Sequence, residues 1–241
     1  VSRHLVVRNG GHELAGVVRD GESWYAAARR TAAPLTGEPV PVDLSADPLL
    51  WTVDHDLLVV LRPMTRGDLP SVARWRAQAH VDRWWHADGP ATLERVTDAY
   101  GADIDGTTPT RMWVVEANGR SVGFLQDYRI RDYPDYALLT PDPDAMCCDY
   151  AIGEPEWVGR GLGVRMIWAW ALRTLHRFPD VKALFAAPDH RNSTSLRMLE
   201  KAGFVQGTWF DEPQSDGSVV TVVGCTLDVR RVLSSEPPAA N

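Results

Sequence analysis

The chain has 241 residues, 44% of them hydrophobic, and a formal net charge of −7 from 25 Lys and Arg against 32 Asp and Glu. That length suits one large α/β domain, or one domain with a short extension, and is cramped for two equal domains. The negative balance argues against a nucleic-acid partner and fits a cationic ligand, while the lack of an apolar run near the roughly 20 residues of a membrane span, and of an apolar signal core in Val1 to Gly10, predicts a cytoplasmic protein with no membrane partner.

Residues 1–55 read as an N-terminal extension. Two apolar patches, Leu5-Val6-Val7 and Ala15-Gly16-Val17-Val18, flank Gly10-Gly11 in a hairpin pattern, and a proline-rich stretch from Pro34 to Pro48 follows. From Leu57 the texture changes. Leu57 to Leu61 predicts a buried strand, and Thr65-Arg66-Gly67-Asp68 precedes a helix running to about Gln78. A second helix is expected near Ala91 to Tyr100, then strands over Arg111 to Glu116 and Ser121 to Arg129 joined by an Asn118-Gly119 hairpin turn. An acidic loop punctuated by proline, Asp132 to Asp144, leads to a strand from Ala145 to Ile152. A glycine-rich turn then opens a helix from about Gly161 to Arg177. Strand Ala183 to Ala187, helix Ser193 to Ala202 and strands Phe204 to Phe210 and Val219 to Asp228 complete a domain spanning 56–232. The tail 233–241 has a disordered composition. Cys147, Cys148 and Cys225 include an adjacent pair ill-suited to bridging, and no metal-ligand spacing links them to histidines, so reduced buried thiols and no metal are expected.

Gly159-Arg160-Gly161-Leu162-Gly163 stands between a strand and a helix. Glycines let the backbone turn tightly enough for successive N–H groups at a helix N-terminus to converge on an anion such as pyrophosphate. A dinucleotide site of the Rossmann type needs these glycines after the first strand and an acid about 20 residues on; a P-loop needs Lys-Ser or Lys-Thr where Val164-Arg165 stands. One strand and one helix later comes Asn192-x-x-Ser195-x-x-x-Leu199-Glu200-Lys201-x-Gly203-Phe204.

The two elements in this order resemble the GNAT superfamily of acyl-CoA-dependent N-acyltransferases over about residues 57–228. The resemblance implies an α/β fold with a mixed, mostly antiparallel twisted sheet, a splayed strand pair and flanking helices. It implies acetyl-CoA or another acyl-CoA as cosubstrate: the amides of Gly159, Arg160, Gly161, Leu162, Gly163 and Val164 on the pyrophosphate, Asn192 and Ser195 beside the pantetheine arm, and the free amides of Cys148, Tyr150, Ala151 and Ile152 paired with pantetheine. Two positions depart from the family pattern. Val158 replaces an Arg or Gln before the glycines, and Leu199 replaces the helix tyrosine that many relatives use to protonate the departing thiolate.

Three further stretches narrow the acceptor. His80-Val81-Asp82-Arg83-Trp84-Trp85, Gln126-Asp127-Tyr128 and Cys148-Asp149-Tyr150 resemble the aminoglycoside 6'-N-acetyltransferases and, more loosely, the siderophore acyltransferases that modify lysine or hydroxylysine, including the mycobactin type. The mycobactin-type enzymes carry a histidine at the position of Asp149. Independently of any family, an amine is cationic at neutral pH and must lose a proton before attacking a thioester, so the site needs a carboxylate or imidazole near the amine, and an acid inside a strand just before the cofactor turn needs some reason to be there. Asp149 is that acid and the expected base. Asp127, Asp132, Asp135, Asp142 and Asp144 form either an electrostatic funnel for a polycation or a solvated loop.

One of Trp84 and Trp85 is expected in the core, the other against a sugar ring or a lysine chain. Gln126 and Tyr128 share a strand face with Phe124, so at least one projects into the cleft. Both related groups place an Asp at Ala187; Asp189 either supplies that charge from a shifted position or caps the following helix. The expected activity is acetyl transfer to a small cationic amine, an aminoglycoside, by a monomer or homodimer. The alternatives are acylation of lysine or N-hydroxylysine in siderophore assembly, and a weakly catalytic acyl-CoA binding module.

Overall fold

A computed structural model of the chain describes residues 59–85 and 89–229 in full, together with the backbone of β1 (Arg3–Asn9) and β2 (His12–Val18). These two strands pair antiparallel from Arg3↔Val18 to Asn9↔His12, as the turn signal between the apolar patches predicts. The proline-rich stretch 34–48, the first two residues of the expected strand Leu57 to Leu61 and the tail 233–241 lie outside the described residues.

Seven further strands build one sheet: β3 (Val59–Pro63), β4 (Arg111–Ala117), β5 (Arg120–Arg129), β6 (Met146–Ile152), β7 (Ala183–Ala186), β8 (Val205–Pro213) and β9 (Val219–Asp228). Their order is β3-β4-β5-β6-β7-β9-β8. Neighbours are antiparallel except β6 and β7, which run parallel. The Asn118-Gly119 turn has positive φ at both residues, 51° and 77°, the backbone that a two-residue hairpin demands.

The helices are α1 (Leu69–Arg76), α2 (Ala79–Trp85), α3 (Leu93–Ile104), the single turn α4 (Pro134–Ala137), α5 (Leu162–Arg177) and α6 (Ser193–Ala202). The seven-residue α2 is too short to show helical periodicity in sequence. It is anchored by buried Val81 while Asp82 and Arg83 stay exposed.

Strand alternation sorts the core onto two faces of the sheet. Val115, Leu125 and Met146 meet Met166, Ile167 and Trp170 of α5 and Leu199 of α6 on one face. Met112, Val114 and Phe124 meet Val72 and Trp75 of α1 and Val96 and Tyr100 of α3 on the other. Immediately after β6 a side chain has no room: a Cβ on Gly153 would stand 2.0 Å from Trp75 Cγ. Next to it Glu154 accepts from Trp75 Nε1 at 2.9 Å and from Arg74 Nη2 at 2.7 Å. These contacts fix the path of the chain from β6 into the glycine turn.

Candidate active site

The parallel pairing of β6 and β7 ends after two rungs, Met146↔Leu184 and Cys147↔Phe185. β6 continues to Ile152, still paired to β5 as far as Gly123↔Ile152. Its other edge from Cys148 to Ile152 therefore has no strand against it among the described residues. His80 Nε2 lies 2.9 Å from the Ile152 carbonyl and donates to it. The remaining free edge lines an opening in the middle of the sheet, at the site expected for a splayed pair.

The glycine turn stands at the end of this opening. Gly159 and Gly161 adopt left-handed φ of 78° and 77°, and a Cβ on either would meet nothing within 4 Å, so the backbone conformation and not crowding calls for glycine. Gly161 occupies the cap position of α5. The first N–H groups of that 16-residue helix have no partners within the helix. Leu162 contributes a fully buried side chain, whereas Arg160 is exposed. Gly163 packs against α6, where a Cβ would come within 2.9 Å of Met198 Cγ. Asn192 caps α6 by accepting from the Ser195 N–H at 3.1 Å, and the Ser195 hydroxyl lies 2.6 Å from that of Tyr150.

Gln126, Tyr128 and Asp149 lie together on the face of the sheet opposite α5. Gln126 Nε2 donates to Asp149 Oδ2 at 2.9 Å across the β5–β6 ladder. Burial pushes the Asp149 carboxyl above the usual range, opposed by that hydrogen bond. Tyr128 meets Tyr133 and Tyr136 edge-on, with ring centroids 5.0 and 6.1 Å away, and Tyr136 meets Phe210 of β8 at 6.3 Å. Cys147, Phe185 and Ala187 close the base of this aromatic cluster.

Two residues beyond Phe210, and so on the same strand face, stands Glu212. Burial first, and then the negative charge of Asp149, push it up to about 7 against a hydrogen bond from Gln214. The sequence reading missed Glu212 because it ended this strand at Phe210. The structure carries β8 to Pro213, and the alternation Phe210-x-Glu212 is the signal that reveals the residue.

Asp127 is set apart from this group. It is 1% exposed on the α5 face, where it receives Arg111 through two bonds of 3.0 and 2.8 Å and the indole N–H groups of Trp113 and Trp170 at 2.9 and 2.8 Å. Strand alternation turns it away from Gln126 and Tyr128 and makes it a core anchor. Asp189 stands beside Val222 of β9, which pairs with Phe210. It forms a two-bond ion pair with Arg191 and accepts the Arg191 backbone N–H, contacts that hold its carboxyl below the usual range. Of the two roles open to Asp189, the helix cap falls to Asn192. Trp85 stacks on Phe124 at 5.4 Å with the Arg76 guanidinium 5.7 Å from its ring, so it is the packed member of the tryptophan pair. Trp84 is half-buried, with Arg83 5.0 Å over its ring. Of the loop aspartates, Asp144 is paired with Arg131 at 2.7 Å. Cys147, Cys148 and Cys225 are buried free thiols.

Residues 65–212 match the acetyltransferase (GNAT) domain family. The chain belongs to this family. It is 28% identical to aminoglycoside N(6')-acetyltransferase type 1 of Klebsiella pneumoniae over 153 residues, which cover 62% of this chain and 76% of that protein. It is 26% identical over 143 residues to the lysine N-acyltransferase MbtK of Mycolicibacterium paratuberculosis, covering 59% and 63% of the two chains. Among solved structures, aminoglycoside acetyltransferase AAC(6')-Ib in complex with coenzyme A and kanamycin superposes with a TM-score of 0.62 at 25% identity, over 72% of this chain and 96% of that one. The GNAT chain described here is thus an acyl-CoA-dependent N-acyltransferase, and the binding-only alternative is left without support.

Proposed function

We propose that this GNAT enzyme moves an acetyl group from acetyl-CoA to a primary amine of a small, multiply cationic acceptor of the aminoglycoside kind. The observation that carries this reading is the pair of carboxylates, Asp149 and Glu212, close enough that Glu212 feels the charge of Asp149 and Tyr136 of the aromatic cluster feels both. Two carboxylates suit an acceptor with more than one ammonium group, and the rings of Tyr128, Tyr136 and Phe210 suit its apolar faces. The likeness to enzymes named for aminoglycosides supports the same acceptor.

In this reading the amides from Gly159 to Val164 hold the pyrophosphate of acetyl-CoA, with Arg160 adding charge from the surface. Cys148, Tyr150, Ala151 and Ile152 offer backbone groups to the pantetheine arm, beside the end of α6 where Asn192 and Ser195 lie. The ammonium sheds one proton to water through Asp149; the freed amine attacks the thioester carbonyl, the C–N bond forms, the nitrogen gives its second proton to the Asp149 carboxylate, and the C–S bond breaks with its electron pair leaving on sulfur. The raised affinity of Asp149 for a proton suits a base. Gln126 orients the carboxylate, and Glu212 holds a second ammonium group.

Acylation of a lysine or N-hydroxylysine side chain is the second reading, favoured by the likeness to the lysine N-acyltransferase. The test is release of CoA thiol with kanamycin, tobramycin, lysine and N-hydroxylysine, each offered with acetyl-CoA and with longer acyl-CoAs. Turnover with kanamycin or tobramycin and acetyl-CoA is expected. Turnover confined to the lysine acceptors would overturn the aminoglycoside assignment.

A further inference from the structure

Thioester aminolysis requires two proton movements, one off the attacking nitrogen and one onto the departing sulfur. Asp149 answers the first. Leu199, where the family resemblance implies a tyrosine for the second, is wholly buried in the core and has no proton to give.

Consecutive residues on a strand point to opposite faces. Asp149 pairs across the ladder with Gln126, while Tyr150 pairs with Leu125 and packs on the α5 face. Both residues lie on the part of β6 that has parted from β7. Ser195 stands in the first turn of α6, on the segment that follows β7. The 2.6 Å contact between the Tyr150 and Ser195 hydroxyls therefore joins the two arms of the opening.

We propose that Tyr150 is the proton donor to the leaving CoA sulfur and that Ser195 is its positioning and relay partner. A base and an acid on successive residues of one free strand address the same acyl carbon from the two faces of the sheet. The amine enters on the Asp149 face and the sulfur leaves on the Tyr150 face. As the C–S bond breaks, its electron pair goes to sulfur, which takes the phenolic proton. Tyr150 recovers a proton through the Ser195 hydroxyl from water, since Ser195 is half-exposed. Burial, reinforced by Cys148, Cys225 and Asp149 and opposed by the Ser195 hydrogen bond, keeps the phenol protonated well above neutral pH. The phenol therefore carries its proton when the C–S bond breaks, and the 2.6 Å Ser195 contact, which opposes the effect of burial, eases its release.

The test needs no acceptor and so stands apart from the choice of amine. The thiol of bound CoA is titrated through the ultraviolet absorbance of its thiolate, and CoA is compared with desulfo-CoA by calorimetry, in the parent enzyme and in Tyr150→Phe and Ser195→Ala. A hydroxyl aimed at sulfur stabilises the thiolate, so Tyr150→Phe is expected to raise the apparent pKa of the bound thiol and to erase any preference for CoA over desulfo-CoA. Ser195→Ala is expected to move both readouts the same way by less. In turnover with the best amine, Tyr150→Phe is expected to lower kcat by roughly 10²-fold with KM for acetyl-CoA nearly unchanged. A folded Tyr150→Phe enzyme with an unshifted bound thiol and the parent's preference would overturn the proposal.

Discussion

Gln126 and Asp149 face each other across the β5–β6 ladder, and the Gln126 amide donates to the Asp149 carboxylate at 2.9 Å. The bond opposes the effect of burial on that carboxyl, so two neighbouring strands tune one candidate base. Asp149 accepts a proton only when ionised, and losing the Gln126 amide moves its pKa further up. Gln126→Leu is therefore expected to shift the acidic limb of the kcat/KM profile to higher pH. A limb that stays in place in the variant would show that the bond does not govern the base.

Glu212, raised to about 7, lets the same pocket be read through stability. An acid whose folded pKa lies above its unfolded value of 4.5 holds a proton in the native state that the unfolded chain has released. Its stabilising contribution is complete below the unfolded pKa and is lost as pH rises through the folded one. Between about pH 5 and about pH 8 the parent's Tm should lose more than that of Glu212→Gln. Glu212→Gln should also raise KM for a polycationic acceptor, with KM for acetyl-CoA unmoved. Equal pH dependence of Tm in both proteins would place the carboxylate in solvent.

Asp127 makes the opposite kind of prediction. With Arg111, Trp113 and Trp170 all donating to it in the core, Asp127→Ala leaves a guanidinium and two indole N–H groups unpaired. Each stranded indole N–H costs about 1–3 kcal/mol, and the half-exposed guanidinium less because water reaches it. Urea unfolding should show it. A variant of unchanged stability with a raised acceptor KM would instead return Asp127 to the binding site.

The glycine turn is tested by Gly161→Val. Since a Cβ there meets no neighbour, the cost lies in a left-handed backbone, about 1–2 kcal/mol. Relaxing that strain swings the leading amides of α5 out of line. Calorimetry should show a severe loss of CoA affinity in a protein that still folds, and unchanged affinity would remove the turn from the cofactor site.

Much of this arrangement is legible in the residues themselves. Asn118-Gly119 and the glycines at 159 and 161 each need a particular backbone, and local geometry of that kind leaves its mark in sequence. Asp149 stands out as an acid inside an apolar strand. What escapes is whatever depends on which way a strand faces. Asp127 sits between Gln126 and Tyr128 in sequence, yet one step of alternation carries it to the other side of the sheet and into the core. Glu212 escaped because polar residues at the end of β8 hide the length of that strand. The Tyr150–Ser195 contact joins positions 45 apart and depends on how far β6 and β7 separate, which no local pattern encodes.

On the proposed reading, Asp149 drives acetyl transfer from acetyl-CoA to an amine of a small polycation. Mass spectrometry of kanamycin and tobramycin incubated with acetyl-CoA and either the parent enzyme or Asp149→Asn tests it most directly, with acetyl-CoA affinity measured alongside. The parent should add one acetyl group, and Asp149→Asn should do so at least roughly 10²-fold more slowly while binding acetyl-CoA nearly as well. Unmodified aminoglycosides with the parent enzyme, or a variant active within a few-fold of it, would contradict the account.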